Sequence, residues 1–389
     1  MLTIKESTSV DADTVQQLVA ALARTAAERD RRGDTPKAER DMVRDSGLLR
    51  LSIPKEFGGR GAPWPEILWV VREIAKVDSS LAHVFGYHFL QLSTPHFYGT
   101  SAQRTHYYKE TAAKNWFWGN AINSKDRRVK VTRDGEGYVL NGTKYFCSGA
   151  KDADMLVVSA YFEGEEKPNI FVIPAHRPGI VFDDDWNGLG QRQTDSGSVH
   201  FQQVRVWSWE HLNDPGPNGM PFSTLRSVLT QLILSHVLVG IAKGALETAK
   251  TGAVQRLMHL ADDAGVVADV LRLGGEMWVQ CQAAEQLAVH AAEVFQQAWE
   301  RQFDLTHGER GKAAVAVFTA KVAAVRAALD VTSRIFDVMG ARSAVETHRN
   351  DRFWRNARTL SLHDPVDTKL RELGTYALHG VCPVPGFYS

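Results

Sequence analysis

The sequence is poor in cysteine, and the three it has in 389 residues, Cys147, Cys281 and Cys382, lie far apart with no CxxC pair. That spacing argues against a disulfide framework or a structural zinc site and fits a reducing, cytoplasmic setting. An excess of one charge is missing too. Lys+Arg and Asp+Glu both number 45, so the formal net charge is zero. A general nucleic-acid binder or a polybasic membrane protein would be clearly basic, and a neutral balance leaves self-association unopposed. No run approaches the roughly 18 consecutive apolar residues of a membrane span. The opening Met-Leu-Thr-Ile-Lys-Glu-Ser has no basic stretch followed by an apolar one, so no secretory signal is expected. No Walker A loop, G-x-S-x-G elbow or HExxH helix occurs. What is present, 44% hydrophobic and 23% charged residues, is the composition of a folded chain rather than a disordered one.

The pattern divides the chain into three domains: helical over 1–115, β over 116–215 and helical again over 216–389, an α+β architecture. In the first, Val15, Leu18, Val19, Leu22 and Ala26 recur at helical spacing after Asp11 or Asp13 as a cap. The densely charged stretch 24–37 reads as an exposed helix end and loop. Thr35 and Pro36 open a helix that stops before Gly47, Pro65 opens another, and Asp78-Ser79-Ser80 caps an apolar one through His83, Tyr87 and His88. From Trp116, short β-rich runs separated by Asp134-Gly135, Asn141-Gly142 and further Pro, Gly or Asp breaks predict hairpins. Long Ala/Leu/Val-rich helices are predicted over about 222–256, 264–302 and 309–340, with a last one near 365–380. The segment 313–338, apolar around much of its circumference, belongs in a bundle core or a subunit interface.

Several signals are ambiguous or point away from chemistry. Gly135-Glu-Gly137 is a hairpin turn rather than a dinucleotide fingerprint, since it does not link a strand to a helix and lacks a third glycine. His83 and His88, five apart and without clustered partners, do not make a metal pair. Asp183-Asp184-Asp185 reads as a solvated loop. The aromatics of Asn115-Trp-Phe-Trp-Gly-Asn120 and Phe353-Trp-Arg-Asn356 either pack a core or wall a pocket for a flat ring system. Arg342, Arg349, Arg352, Arg355 and Arg358 beside Gly340 form either a charged surface or a phosphate holder. His363-Asp364-Pro365 ends a segment and is either an acid/base site or a cap.

With the domain order, the motifs Leu51-Ser-Ile-Pro-Lys-Glu-Phe-Gly-Gly59, Leu140-Asn-Gly-Thr-Lys-Tyr-Phe-Cys-Ser-Gly-Ala150 and Gly197-Ser-Val-His-Phe-Gln-Gln-Val-Arg-Val206 resemble the acyl-CoA dehydrogenase fold over nearly the whole chain. Where that family has a catalytic Glu in a Tyr-Glu-Gly step, this chain has His363-Asp364-Pro365. Phe85-Gly-Tyr-His88, Trp118-Gly-Asn120, Tyr145 to Lys151, Asp184-Asp-Trp186, Arg192 to Ser198, Gly340-Ala-Arg342, and Arg352 to Val366 instead resemble the flavin-dependent monooxygenase branch of the fold, which includes the dibenzothiophene-oxidising enzymes of desulfurisation. Leu360 departs from that branch, which has a second histidine there. The stretches 123–128 and 251–267, which border the branch's active-site entrance, look shortened.

The resemblance implies reduced FMN supplied by a separate flavin reductase, O₂ as co-substrate, a flavin hydroperoxide as oxygen donor, a small aromatic thioether as substrate, and a homotetramer. It implies roles as well. His363 and His88 would hold the peroxide and handle its proton, and Ser148 would hydrogen-bond the reactive edge of the flavin. Asn120, Phe146 and Cys147 would also contact the cofactor. Tyr87, Trp118, Phe146 and Trp186 would wall the substrate pocket, and Arg342, with Arg256, would reach the FMN phosphate, Arg342 across a subunit boundary. The competing expectations are an acyl-CoA dehydrogenase with FAD and Asp364 as base, the same machinery acting on nitrogen or an indole-type carbon, and a non-catalytic scaffold.

Overall fold

The computed structural model describes residues 9–123, 125–259 and 263–386. The N-terminal part holds seven helices: α1 Ala12–Ala23, α2 Ala26–Arg32, α3 Lys37–Asp45, α4 Trp64–Ala75, α5 Ser79–Leu92, α6 Thr94–Tyr98 and α7 Ser101–Lys114. Asp11 caps α1 through the Asp13 amide, and Asp78 caps α5 through the Leu81 amide, as the sequence predicts. Thr35 caps nothing. Its hydroxyl bonds Asp195 instead.

The charged stretch after residue 24 is also not the loop it reads as. It forms α2, and Arg29 and Asp30 are buried in ion pairs. Arg29 meets Glu39 and Asp78, while Asp30 takes Arg349 at 3.0 Å and Arg355 at 2.5 Å. These charges stitch the N-terminal helices to the C-terminal part.

Two sheets follow. One has the order β1-β4-β5, from β1 Trp118–Ala121, β4 Met155–Ala160 and β5 Asn169–Pro174, with β1 and β4 parallel. The other has the order β2-β3-β7-β6, from β2 Lys130–Asp134, β3 Gly137–Lys144, β6 Ile180–Phe182 and β7 Val199–Trp207. Alternation along β4 explains how they pack. Leu156 and Val158 face the second sheet's Val199, Phe201, Val204 and Val206, while Met155 and Val157 face the N-terminal helices. The Asp134-Gly135 hairpin forms as expected. Asn141-Gly142 is instead an irregularity inside β3, where Gly142 has φ +128° and a Cβ would lie 2.2 Å from the Arg128 carbonyl oxygen.

The C-terminal part has α8 Pro221–His259, α9 Ala264–Glu300, α10 His307–Met339, α11 Asp351–Ser361 and α12 Val366–His379. Stretch 221–258 of α8 is long and apolar enough to cross a membrane, but 89% of its apolar window is buried inside this fold. All fourteen residues of α5 are buried as well, because it lies between β1, α4 and α8. The functional side chains gather around these two helices.

Candidate active site

Phe146, Cys147 and Ser148 lie on the loop that leaves β3. Lys144, fully buried, anchors the preceding residue by donating to the Asp126 carbonyl. The Cys147 and Gly149 amides bond the Gly197 and Thr194 carbonyls. Phe146 is held at φ +61° with 53% of its surface exposed. A bulky side chain in that region is strained and persists only where its surroundings impose it. Here the Asn120 amide imposes it by donating to the Phe146 carbonyl at 3.2 Å, and Gln91 holds Asn120 in turn at 3.0 Å. The exposed Phe146 ring meets Trp186 edge-on at 6.2 Å, so these two form an aromatic wall. The Ser148 hydroxyl bonds Ser196, which bonds Thr194, both at 2.7 Å.

A second group lies behind this wall. The Tyr87 hydroxyl is 3.2 Å from His363 Nε2, and the His83 ring packs edge-on against Tyr87 at 4.4 Å. Gln191 joins the two groups. Its side-chain oxygen meets His83 Nδ1 at 3.3 Å, and its backbone carbonyl accepts from Trp186 Nε1 and the Thr194 hydroxyl, both at 2.8 Å. Burial, reinforced by the charge of Lys321 and by His83, pushes the His363 pKa down to about 3. Burial also takes His83 to about 4. Both rings are therefore neutral near pH 7.

Three expected site residues lie elsewhere. His88 is fully buried, its Nε2 is 2.8 Å from the Leu49 carbonyl, and its Nδ1 accepts from the Trp118 amide at 3.2 Å. With both nitrogens tied to backbone it is a core cross-link, and His83, five residues earlier on α5, occupies the site. Trp118 is also core: fully buried, packed on Tyr107, with its indole N–H donated to Thr111 at 2.9 Å. The Cys147 thiol points into the core between the sheets, where burial raises its pKa, and donates to the Lys144 carbonyl at 3.4 Å. Gln191 and Lys321 were not singled out by sequence, and His83 was weighed only as half of a metal pair.

The arginine cluster is not one site. Arg349 and Arg355 neutralise Asp30, and Arg358 bonds Ser361. Arg342 alone turns to a pocket of about 910 Å³ at the C-terminal ends of α8 and α10, lined also by Arg256, Gly340, Ser343 and Asn350. Arg256 donates to the Val338 carbonyl at 3.1 Å, closing the end of α10.

Models of the acyl-CoA dehydrogenase N-terminal, middle and C-terminal domains match residues 8–115, 122–204 and 232–368. A probable FMNH2-dependent monooxygenase, SfnC, of Pseudomonas putida is 47% identical, with 96% of each chain covered. The structure of methanesulfinate monooxygenase MsuC from Pseudomonas fluorescens superposes with a TM-score of 0.93 at 48% identity, covering 98% of this chain and 100% of that one. Dibenzothiophene monooxygenase TdsC from Paenibacillus sp. A11-2 gives 0.91 at 41% identity over 97% and 99%, and it has also been solved with FMN bound. The chain belongs to the acyl-CoA dehydrogenase family, in its flavin-dependent monooxygenase branch.

The monooxygenase uses reduced FMN, and its own residues fit that group. The Phe146–Trp186 wall and the Ser148 hydroxyl suit a flat ring with a polar edge. The Arg342 pocket suits a phosphate: two guanidinium groups meet there beside Gly340, whose φ is +80° and where a Cβ would lie 3.4 Å from Arg256. The monooxygenase also lacks a free base at the dehydrogenase position. Asp364 is 2% exposed, and its carboxylate is paired with Lys369 at 3.3 Å.

Proposed function

We propose that this monooxygenase transfers one oxygen atom of O₂ to the sulfur of a small organosulfur compound, with reduced FMN delivered by a separate flavin reductase. The observation that carries this is the neutral His363–Tyr87–His83 group set behind the aromatic wall and linked to it through Gln191. Bound reduced FMN supplies the electrons that activate O₂. The chain then has three tasks. Phe146 and Trp186 sandwich flat surfaces and exclude water. Ser148, held by Ser196, presents a hydroxyl to the ring edge. His363 and Tyr87, sharing one hydrogen bond, hold and pass a proton at Nε2 without moving. An aromatic thioether of the dibenzothiophene type, taken to sulfoxide or sulfone, is the substrate the wall supports.

The same reading includes an assembly of identical subunits, a homotetramer by family resemblance. His363 stands at the level of Lys321 on α10, and the Arg342 pocket lies beyond Met339. The 18 residues between Lys321 and Met339 span roughly 27 Å of helix, more than a five-carbon ribityl chain reaches, which supports ring and phosphate sites contributed by different chains. Next to that pocket a groove of about 610 Å³ between α8 and α9 is lined by the exposed apolar Val254, Leu271 and Trp278, a face suited to a second copy.

Product analysis tests the function. Reductase-coupled turnover with dibenzothiophene should yield sulfoxide or sulfone in stoichiometry with FMNH2. Reduction of a bound flavin by acyl-CoA, with no oxygenated product from any sulfur compound, would refute it.

A further inference from the structure

A buried cation lies behind the loop that carries the aromatic wall. Arg226 is in the second turn of α8 and only 8% exposed. Its guanidinium carbon is 6.0 Å from the centre of the Tyr98 ring. Its hydrogen bonds go to neutral groups: Nε donates to the Thr94 hydroxyl at 2.9 Å, and Nη2 donates to the Gln91 side-chain oxygen at 2.8 Å. A buried cation with neutral partners is costly, and what it supplies is direction.

A guanidinium can only donate. Gln91 must therefore turn its oxygen to Arg226 and its nitrogen away, and that nitrogen donates to the Asn120 side-chain oxygen at 3.0 Å. The Ile122 amide, also a pure donor, meets the same oxygen at 3.2 Å. The Asn120 nitrogen is left to donate to the Phe146 carbonyl at 3.2 Å. Gln91 is fully buried and Asn120 nearly so. Either amide could be flipped in isolation; the charge at the end of the chain leaves one orientation for both.

Asn120 grips the loop twice, since its backbone N–H also donates to the Ser148 carbonyl at 3.1 Å. Phe146, at φ +61°, and Ser148 are thus both held by one residue of β1. The neighbouring Gly119 has no room for a Cβ, which would lie 2.8 Å from the Ala150 Cα, so strand and loop are in close contact.

We infer that Arg226 is a positioning residue of this monooxygenase: through Gln91 and Asn120 it holds the strained loop that presents Phe146 and Ser148 to the flavin. The inference rests on the flavin reading of that loop and adds a residue beyond it. In this role Arg226 touches neither cofactor nor substrate. It acts by excluding the reversed orientation, in which the Asn120 oxygen would face the Phe146 carbonyl oxygen and the φ of Phe146 would lose its constraint.

The test uses the full-length protein, without flavin and with FMN. Gln91→Glu separates orientation from packing. Its carboxylate still accepts from Arg226, now as an ion pair, but has no hydrogen to give Asn120. Amide exchange over 145–150, followed by mass spectrometry in the flavin-free protein, should quicken by about 3- to 10-fold, while exchange in β4 and β5 stays at the wild-type rate. The FMN dissociation constant should rise by a similar factor. Arg226→Met should do the same or more. Arg226→Lys keeps the charge and part of the donor set, and should restore part of the loss in both readouts. If Arg226→Met does not fold, Gln91→Glu alone decides. Unaltered exchange over 145–150 in Gln91→Glu overturns the inference. So does an increase spread evenly over the β layers, which lost stability alone would give. Faster exchange confined to the loop, with an unchanged FMN constant, keeps Arg226 as the anchor of the loop and removes the flavin from Phe146 and Ser148, so that the flavin reading falls instead.

Discussion

Replacing Arg342 by Ala in one pool of chains and His363 by Ala in another, then co-expressing the two with different tags, tests whether each flavin site is shared. In the proposed site Arg342 bears on the phosphate and His363 on the proton, and Lys321, whose charge acts on His363, is roughly 27 Å of α10 away from Met339, where the Arg342 pocket lies. Losing a charge-assisted contact to phosphate costs about 1.5–3 kcal/mol, a rise of roughly 10- to 150-fold in the FMN dissociation constant. At FMN concentrations near the wild-type constant the first variant should be nearly silent. The second should be silent at any concentration. In a random one-to-one mixture, about one site in four combines an intact His363 from one chain with an intact Arg342 from its neighbour. Hetero-oligomers isolated through both tags should therefore recover about a quarter of wild-type turnover. Turnover no greater than the sum of the two parents, in verified hetero-oligomers, would refute the shared site and place both residues around the flavin of a single chain.

Other expectations follow from the same geometry. His88→Ala should lower the melting temperature markedly, since it orphans the Leu49 carbonyl and the Trp118 amide at about 1–3 kcal/mol each. His83→Ala should leave thermal stability closer to wild type and reduce kcat; the reverse pattern would restore His88 to the site. Trp118→Ala should destabilise by about 3–5 kcal/mol in denaturant titration, and a change confined to substrate KM would contradict its core position. Cys147 should resist alkylation by iodoacetamide in the folded protein, and Cys147→Ala should keep the wild-type FMN dissociation constant. Folding stability should fall with acid. His83 and His88 near 4 and His363 near 3 lie below the unfolded value near 6.5. Their contribution is complete above 6.5 and is lost below it at up to about 1.4 kcal/mol per pH unit for each ring. A melting temperature unchanged between pH 7 and pH 5 would contradict their burial.

Periodicity carried most of the architecture, because long apolar helices and alternating strands announce their own spacing. It failed for α2 and α11, whose arginines and aspartates read as solvent-facing until Asp30 meets Arg355 across more than 300 residues of chain. The turn at Asn141-Gly142 was misread because a glycine of positive φ serves a bulge as well as a hairpin. In the site, resemblance drew attention to α5 but selected the wrong histidine. Spacing alone held the correction: Tyr87 is four residues from His83 and shares its face, whereas His88 is five away and turns to the core. Trp118 and Cys147 were misjudged because neighbours in sequence on a strand or a loop point to opposite sides. Arg226 gives no local signal at all, since a single polar residue in an apolar helix acquires meaning only through the partners the fold brings to it.

Gln191 touches the imidazole of one group through its side chain and the indole and hydroxyl of the other through its carbonyl, while its backbone N–H donates to the Asn356 side-chain carbonyl on α11 at 2.6 Å. Three parts of the molecule thus meet at one residue of an irregular segment. Any tilt of the β layer against the helices is felt at His83 as a change in ring orientation. Variation along 187–194, remote in sequence from every proton-handling group, should consequently alter turnover as strongly as changes to those groups themselves, which makes this short crossing the place to look when related chains with identical pockets differ in rate.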